Sequence, residues 1–91
     1  MANIRIKRTH RFGLDDARAR VEVFAQSLRE ELQIDYAWDG NRLTFKRTSA
    51  SGTIKIDADS IDLEVELGIA FWVLAGTIEK NINERLDDAL K

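Results

Sequence analysis

The chain has 91 residues, 44% apolar and 33% charged, a balance typical of one folded domain rather than a disordered segment. Fourteen basic and sixteen acidic residues leave a formal net charge of -2, which argues against a general nucleic-acid-binding protein. Cysteine is absent, which excludes a disulfide framework and a thiolate metal site, and no apolar run is long enough to span a bilayer. We therefore expect a single α+β domain over residues 1–91 and a cytoplasmic location.

The first predicted element is a short strand, in which Ile4 and Ile6 alternate with polar residues. A basic connector over residues 8–13 leads into a helix, which we predict from about Leu14 to Gln33. Its apolar residues recur at helical spacing on one stripe: Leu14, Ala17, Val21, Ala25, Leu28 and Leu32. This segment is therefore expected to bury one face against the rest of the domain.

Four strands follow, each with apolar residues on one face and mainly polar residues on the other. They are predicted at residues 34–39, 43–46, 53–57 and 61–67, with a loop over residues 48–52. Asp39-Gly40 separates the first two and predicts a two-residue type I′ hairpin turn. The one-sided alternation is typical of an antiparallel sheet that is covered on one face only.

The last predicted element is a helix over about residues 69–89, and it carries more apolar residues than one stripe needs. Seven share the face expected to pack on the sheet: Phe71, Leu74, Ala75, Ile78, Ile82, Leu86 and Ala89. Ile69 and Val73 lie nearly opposite that face, and Trp72 lies at its side. Such leftover apolar surface indicates a partner, a ligand or a lipid. Three interpretations stay open: cover by the first helix or a loop, a homodimer interface, and attachment to a hydrophobic surface.

The element order β-α-β-β-β-β-α predicts a two-layer α+β sandwich, with both helices on one face of a five-stranded antiparallel sheet. The outward-facing charges predict which strands are neighbours. Arg5 and Lys7 on the first strand complement Asp62, Glu64 and Glu66 on the fifth. We therefore place the first strand antiparallel beside the fifth, giving the order 2-3-4-5-1 and a helix-grip-like arrangement.

No arrangement of residues predicts a catalytic centre, a metal site or a cofactor site. His10 is the single histidine, and we interpret it as a connector residue near the solvent rather than a metal ligand. The acidic row of the fifth strand lies on a solvated face, where nothing separates two carboxylate pKa values as acid–base catalysis requires. The basic N-terminal stretch is interpreted as strand pairing plus a solvated connector. We therefore predict that the protein is not an enzyme.

Three aromatic residues, Tyr36, Trp38 and Phe45, share the inward face of the first predicted hairpin. Core packing is one interpretation of this cluster. The other is a small apolar cavity between the hairpin and the last helix, lined further by Phe71 and Leu74, that holds an acyl chain.

Several short motifs, taken together and in order, carry a family resemblance. They are His10, Gly13-Leu14, Ala17-Arg18, residues 36–47 (YAWDGNRLTFKR), residues 52–54 (GTI), residues 65–68 (VELG), Ile78-Glu79 and Leu86-Asp87. Through these motifs the chain resembles the polyhydroxyalkanoic acid system family, small bacterial proteins encoded near polyester-granule genes. The resemblance implies association with polyhydroxyalkanoate storage, at or near the granule, and implies no catalytic residues.

We therefore predict a non-enzymatic, cytoplasmic protein that is granule-associated or regulatory and acts through Ile69, Trp72 and Val73. The expected partner is the polyhydroxyalkanoate granule surface or a granule protein, with a homodimer as a further interpretation and nucleic acid disfavoured. The alternative is a small module that binds an acyl group or another hydrophobic ligand in a pocket between the sheet and the C-terminal helix.

Overall fold

The computed structural model describes residues 2–90 as an antiparallel sheet with helices packed on its apolar face. The strands are β1 (Ala2–Thr9), β2 (Asp35–Asp39), β3 (Arg42–Arg47), β4 (Ala50–Ile56) and β5 (Ser60–Leu67). The helices are α1 (Gly13–Leu32), α2 (Ile69–Trp72) and α3 (Ala75–Ala89). The predicted α+β class is confirmed.

The order of the strands is β1-β5-β4-β3-β2, which confirms the predicted topology. In the antiparallel β1–β5 pair, Arg5 lies opposite Glu64 and Lys7 lies opposite Asp62. Arg5 Nη2 is also 3.3 Å from Asp62 Oδ2. This hydrogen bond and the neighbouring Asp62 and Glu64 charges raise the pKa of the Arg5 guanidinium above its usual value. The outward charges therefore mark real strand neighbours.

The β2–β3 hairpin is present, but its turn is shifted by one residue from the predicted position. Asp39 pairs with Arg42, so Gly40 and Asn41 form the two-residue connection. Of these two, only Gly40 has a positive φ, at 60°. Glycine at the first loop position is typical of a type II′ turn rather than the predicted type I′ turn.

The prediction of a loop over residues 48–52 was wrong, because β4 begins at Ala50. Arg47 pairs with Ala50, which leaves a two-residue turn at Thr48 and Ser49. Gly52 belongs to β4 and not to a turn, and its lack of a side chain leaves space for the Phe45 ring. A Cβ atom at this glycine would lie 2.3 Å from Phe45 Cζ.

His10 is buried, so its interpretation as a residue near the solvent was wrong. Its side chain is 9% exposed, and its backbone N–H donates to the Asp59 carbonyl at 2.9 Å. The ring Nδ1 accepts the Phe12 N–H at 3.2 Å, and Nε2 lies 3.0 Å from the Asp57 carbonyl oxygen. His10 therefore ties the β1–α1 connector to the β4–β5 turn.

The core lies between α1 and the inward-facing residues of the sheet. From α1 it includes Ala17, Val21, Phe24, Ala25 and Leu28. From the sheet it includes Ile4, Ile6, Leu43, Phe45, Ile54, Ile56, Ile61, Leu63, Val65 and Leu67. The alternation predicted from the sequence matches these inward positions, since successive side chains of a strand point to opposite faces.

The single helix predicted over residues 69–89 is divided in the structure. Val73 and Leu74 separate α2 from α3, and the Leu74 N–H donates to the Phe71 carbonyl at 3.0 Å. This i to i−3 bond winds the chain more tightly than an α-helix, so α-helical spacing does not carry across the break. Of the seven residues predicted to face the sheet, only Ile82 and Leu86 are buried. Leu74 is 49% exposed.

Candidate functional site

Four large apolar residues are exposed at or near the break, and we call them the α2 patch: Ile69, Trp72, Val73 and Leu74. Ile69 and Val73 are 81% and 83% exposed, and Trp72 and Leu74 are 54% and 49% exposed. Three of these residues are the partner-binding candidates proposed from the sequence. Leu74 joins them because the break turns it out of the predicted sheet-facing stripe.

The start of α2 is held in place by a backbone hydrogen bond to the β3–β4 turn. The Gly68 N–H donates to the Ser49 carbonyl at 2.7 Å, which joins the start of α2 to the β3–β4 turn. A Cβ atom on Gly68 would lie 3.2 Å from the Ser49 carbonyl oxygen and Cβ. A side chain here would require the chain at Ser49 to shift by a few tenths of an ångström, so glycine permits the close approach.

Beneath the α2 patch is a cavity of about 250 Å³ between the sheet, the C-terminal half of α1 and the segments α2 and α3. Its apolar lining residues are Phe24, Leu28, Leu32, Ile34, Phe45, Ala50, Leu63, Val65, Leu67, Phe71, Leu74, Ile78 and Ile82. Its polar lining residues are Arg47, Asn81 and Arg85. Leu74 belongs to both surfaces, so the patch and the cavity are continuous.

Of the five pocket residues proposed from the sequence, Phe45, Phe71 and Leu74 line the cavity, whereas Tyr36 and Trp38 do not. The Tyr36 hydroxyl donates to Glu22 Oε2 at 2.7 Å, and Trp38 Nε1 donates to Glu22 Oε1 at 2.8 Å. The Arg18 guanidinium lies 4.8 Å from the centre of the Trp38 ring. These two aromatic residues therefore join β2 to α1 outside the cavity.

Hydrogen bonding at Glu22 changes two pKa values. The Trp38 bond, with those from Tyr36 and Gln26, lowers the pKa of the Glu22 carboxyl despite its desolvation. The hydrogen bond that Tyr36 donates to Glu22, together with desolvation, raises the pKa of the Tyr36 hydroxyl. Tyrosine and tryptophan usually find a polar partner when partly buried. From this tendency the sequence predicts a polar partner for Tyr36 and Trp38, but it does not identify that partner as Glu22.

Two arginine residues at the cavity were not identified from the sequence. Arg85 pairs with Glu31 and donates to Ser27 Oγ at 3.3 Å. Arg47 donates to the Leu32 carbonyl at 3.0 Å, and its guanidinium lies 5.4 Å from the centre of the Phe71 ring. The signal for Arg47 was its register, since it follows Leu43 and Phe45 at the next inward position of β3.

Residues 2–90 contain no group of three or more histidine, cysteine, aspartate or glutamate residues placed to hold a metal ion. Among the same residues, no helix is long and apolar enough to cross a membrane. The cavity combines apolar lining residues with the guanidinium groups of Arg47 and Arg85.

A protein-family model described as "Putative polyhydroxyalkanoic acid system protein" matches residues 4–90 of the chain. Neither a curated protein nor a solved structure shows significant similarity to it. The matched region contains the sheet apart from the first two residues of β1, together with the α2 patch and all the residues that line the cavity.

Proposed function

Because the chain belongs to the polyhydroxyalkanoic acid system family, we propose that it is a non-enzymatic, cytoplasmic protein of the polyhydroxyalkanoate granule surface. In this proposal the α2 patch attaches the protein to the polyester. The observation that carries the proposal is the exposure of four apolar side chains, from 49% to 83%, within six consecutive residues, 69–74.

The exposure argues for an external binding partner because these side chains contribute little to the core. Fully burying an aliphatic side chain contributes about 1.5–3 kcal/mol of stabilisation. Because Ile69 and Val73 are mostly exposed, most of that stabilisation is still to be gained when a partner covers them. A polyester granule presents a hydrophobic surface that can bury both side chains at once. A granule protein or a second copy of the chain is the competing occupant.

The double variant Ile69→Ser/Val73→Ser tests the proposal. We expect its binding to purified granules to weaken about tenfold or more, because two aliphatic contacts are lost. Its melting temperature should stay near that of the parent, because neither side chain is buried. Val23→Ser is the matched control, since Val23 is an apolar residue that is 64% exposed and belongs to α1 rather than to the patch.

Granule co-pelleting, thermal melting and sedimentation should be measured on the same preparations. Unchanged pelleting of the double variant would overturn attachment through the patch. A much lower melting temperature would identify both residues as core residues. A change from dimer to monomer with unchanged pelleting would identify the patch as a homodimer interface.

A second candidate function, binding of an acyl group or another apolar ligand, is supported by the cavity. Its volume of about 250 Å³ exceeds the roughly 150 Å³ that is sufficient to bind benzene in an engineered apolar cavity. Saturable binding of 1-octanol by the isolated protein tests this candidate, and the absence of such binding would contradict it.

A further inference from the structure

We infer that the cavity takes an aliphatic carboxylate of about eight carbons, with its chain among the apolar walls and its carboxylate on Arg47. This inference rests on the second candidate function, apolar-ligand binding, and adds the head group and the chain length. It does not depend on granule attachment through the α2 patch.

The chain length follows from the size and chemistry of the cavity. All the lining residues except Arg47, Asn81 and Arg85 are apolar, so the interior favours a hydrocarbon chain over a polar molecule. Scaling from benzene in about 150 Å³, the cavity volume accommodates roughly ten non-hydrogen atoms. Octanoate is a molecule of about this size.

The carboxylate is assigned to Arg47 because of its position and its unused hydrogen-bonding groups. Arg47 occupies the inward register of β3 at the end of the strand, and its side chain is exposed at the cavity. One of its N–H groups donates to the Leu32 carbonyl, and the guanidinium packs on Phe71. Because a guanidinium carries five N–H donors, a planar fork remains for a carboxylate.

Among the ion pairs of residues 2–90, none includes Arg47, so its charge is not neutralised within that part of the chain. Arg85 differs, because Glu31 already occupies its guanidinium. A bound carboxylate near Arg85 would also meet the Glu31 charge. The two arginines therefore have separate roles. Arg85 forms part of the cavity lining through its ion pair with Glu31, and Arg47 binds the carboxylate.

Titration of the isolated, ¹⁵N-labelled protein with octanoate and with 1-octanol tests the inference. Both share the chain and differ in the head group, and we expect octanoate to bind more tightly. Arg47→Gln should weaken octanoate binding about tenfold or more, since a hydrogen bond to a charged group is lost, and leave octanol binding unchanged. Arg42→Gln is the matched control, because Arg42 lies on the opposite face of the same strand and outside the cavity lining.

A cavity-filling variant separates the cavity from the protein surface. Ala50 lines the cavity, so Ala50→Leu should abolish the binding of both ligands while the protein stays folded. If Arg47→Gln fails to fold because the Leu32 contact is lost, Arg47→Lys replaces it. That variant keeps the charge without the fork and should weaken octanoate binding several-fold without affecting octanol.

The results separate two claims, that the cavity binds an apolar ligand and that Arg47 binds the carboxylate of that ligand. Equal affinities for octanoate and octanol, or equal weakening of both by Arg47→Gln, would overturn the head-group inference and leave apolar-ligand binding standing. Binding of neither ligand to the parent protein would overturn both. Selective loss of octanoate binding in Arg47→Gln, together with loss of both ligands in Ala50→Leu, would establish the inference.

Discussion

Two helical segments cover the sheet, α1 and the C-terminal segment made of α2 and α3, and they differ in how completely they are packed. Within α1, five side chains are buried, whereas α2 contains none and α3 contains only Ile82 and Leu86. Both segments lie on the same apolar face, so the sheet alone does not account for the difference. The comparison indicates that α1 supplies most of the helical contribution to folding stability, while the start of the C-terminal segment is left largely exposed.

The largest expected difference is between two phenylalanines that line the same cavity from opposite segments. Phe24 of α1 is buried, and Phe71 of α2 is only partly buried. We expect Phe24→Ala to lower the free energy of unfolding by about 3–5 kcal/mol and Phe71→Ala to lower it by about 1 kcal/mol. Urea unfolding followed by circular dichroism measures both. Equal losses would show that α2 is packed as firmly as α1.

A pair of glycines compares the packed sheet with the start of α3. A Cβ atom on Gly52 would lie 2.3 Å from Phe45 Cζ and 2.8 Å from the Glu64 carbonyl oxygen, whereas one on Gly76 meets nothing within 4 Å. Gly52→Ala should therefore cost about 1–3 kcal/mol of stability. Gly76→Ala should add up to about 1 kcal/mol, because alanine is the better helix former. Thermal melting measures both, and destabilisation by Gly76→Ala would contradict an open first turn of α3.

The smallest expected effect concerns pH and compares Glu22 of α1 with Glu84 of α3. The lowered pKa of Glu22 means that the folded protein binds its proton less tightly than the unfolded chain does. This stabilisation is complete above the usual value of 4.5 and is lost as the pH falls through the lower, folded-state pKa. Acidification should therefore destabilise the parent more than Glu22→Gln.

The difference between the parent and Glu22→Gln should stay below about 1 kcal/mol, because solvent screens a partly exposed group. Chemical unfolding at about pH 6 and about pH 3 measures it. Glu84→Gln, an exposed substitution on α3, serves as the control. An equal acid dependence in the Glu22→Gln variant and the parent would show that the Trp38 and Tyr36 contacts do not distinguish the two protonation states.

The sheet could be predicted because its signals are local and redundant. Each strand carries its own period-two pattern, and a shift of one residue would turn every apolar side chain toward the solvent. The charges on β1 and β5 then fixed the neighbour relationship. The exact hairpin turn and the start of β4 were missed, because Gly40 and Gly52 serve geometric needs that the sequence does not distinguish.

Part of the candidate site could be predicted from the sequence. The exposure of Ile69 and Val73 follows from their helical spacing, and Phe45 and Phe71, which were predicted beside a pocket, line the cavity. The break at Val73 and Leu74 was not predicted, so the 49% exposure of Leu74 was missed, although its position beside a cavity was predicted. Two sets of side-chain contacts between distant parts of the sequence were also missed. His10 meets Asp57 and Asp59 in the β4–β5 turn, and Tyr36 and Trp38 turn toward Glu22 instead of the cavity.

The neighbour relationship of β1 and β5 also affects the order in which the chain folds. Strands β2 to β5 pair with their sequence neighbours through short turns, whereas residues 10–59 separate Thr9 from its partner Ser60. Loop-closure entropy makes such distant pairing slow, so the β2–β5 meander is expected to form before β1 joins it. Until then β5 has an unpaired edge, and at high protein concentration β1 of a second molecule competes for it. Strand exchange between copies is therefore the characteristic misfolding route expected of this topology.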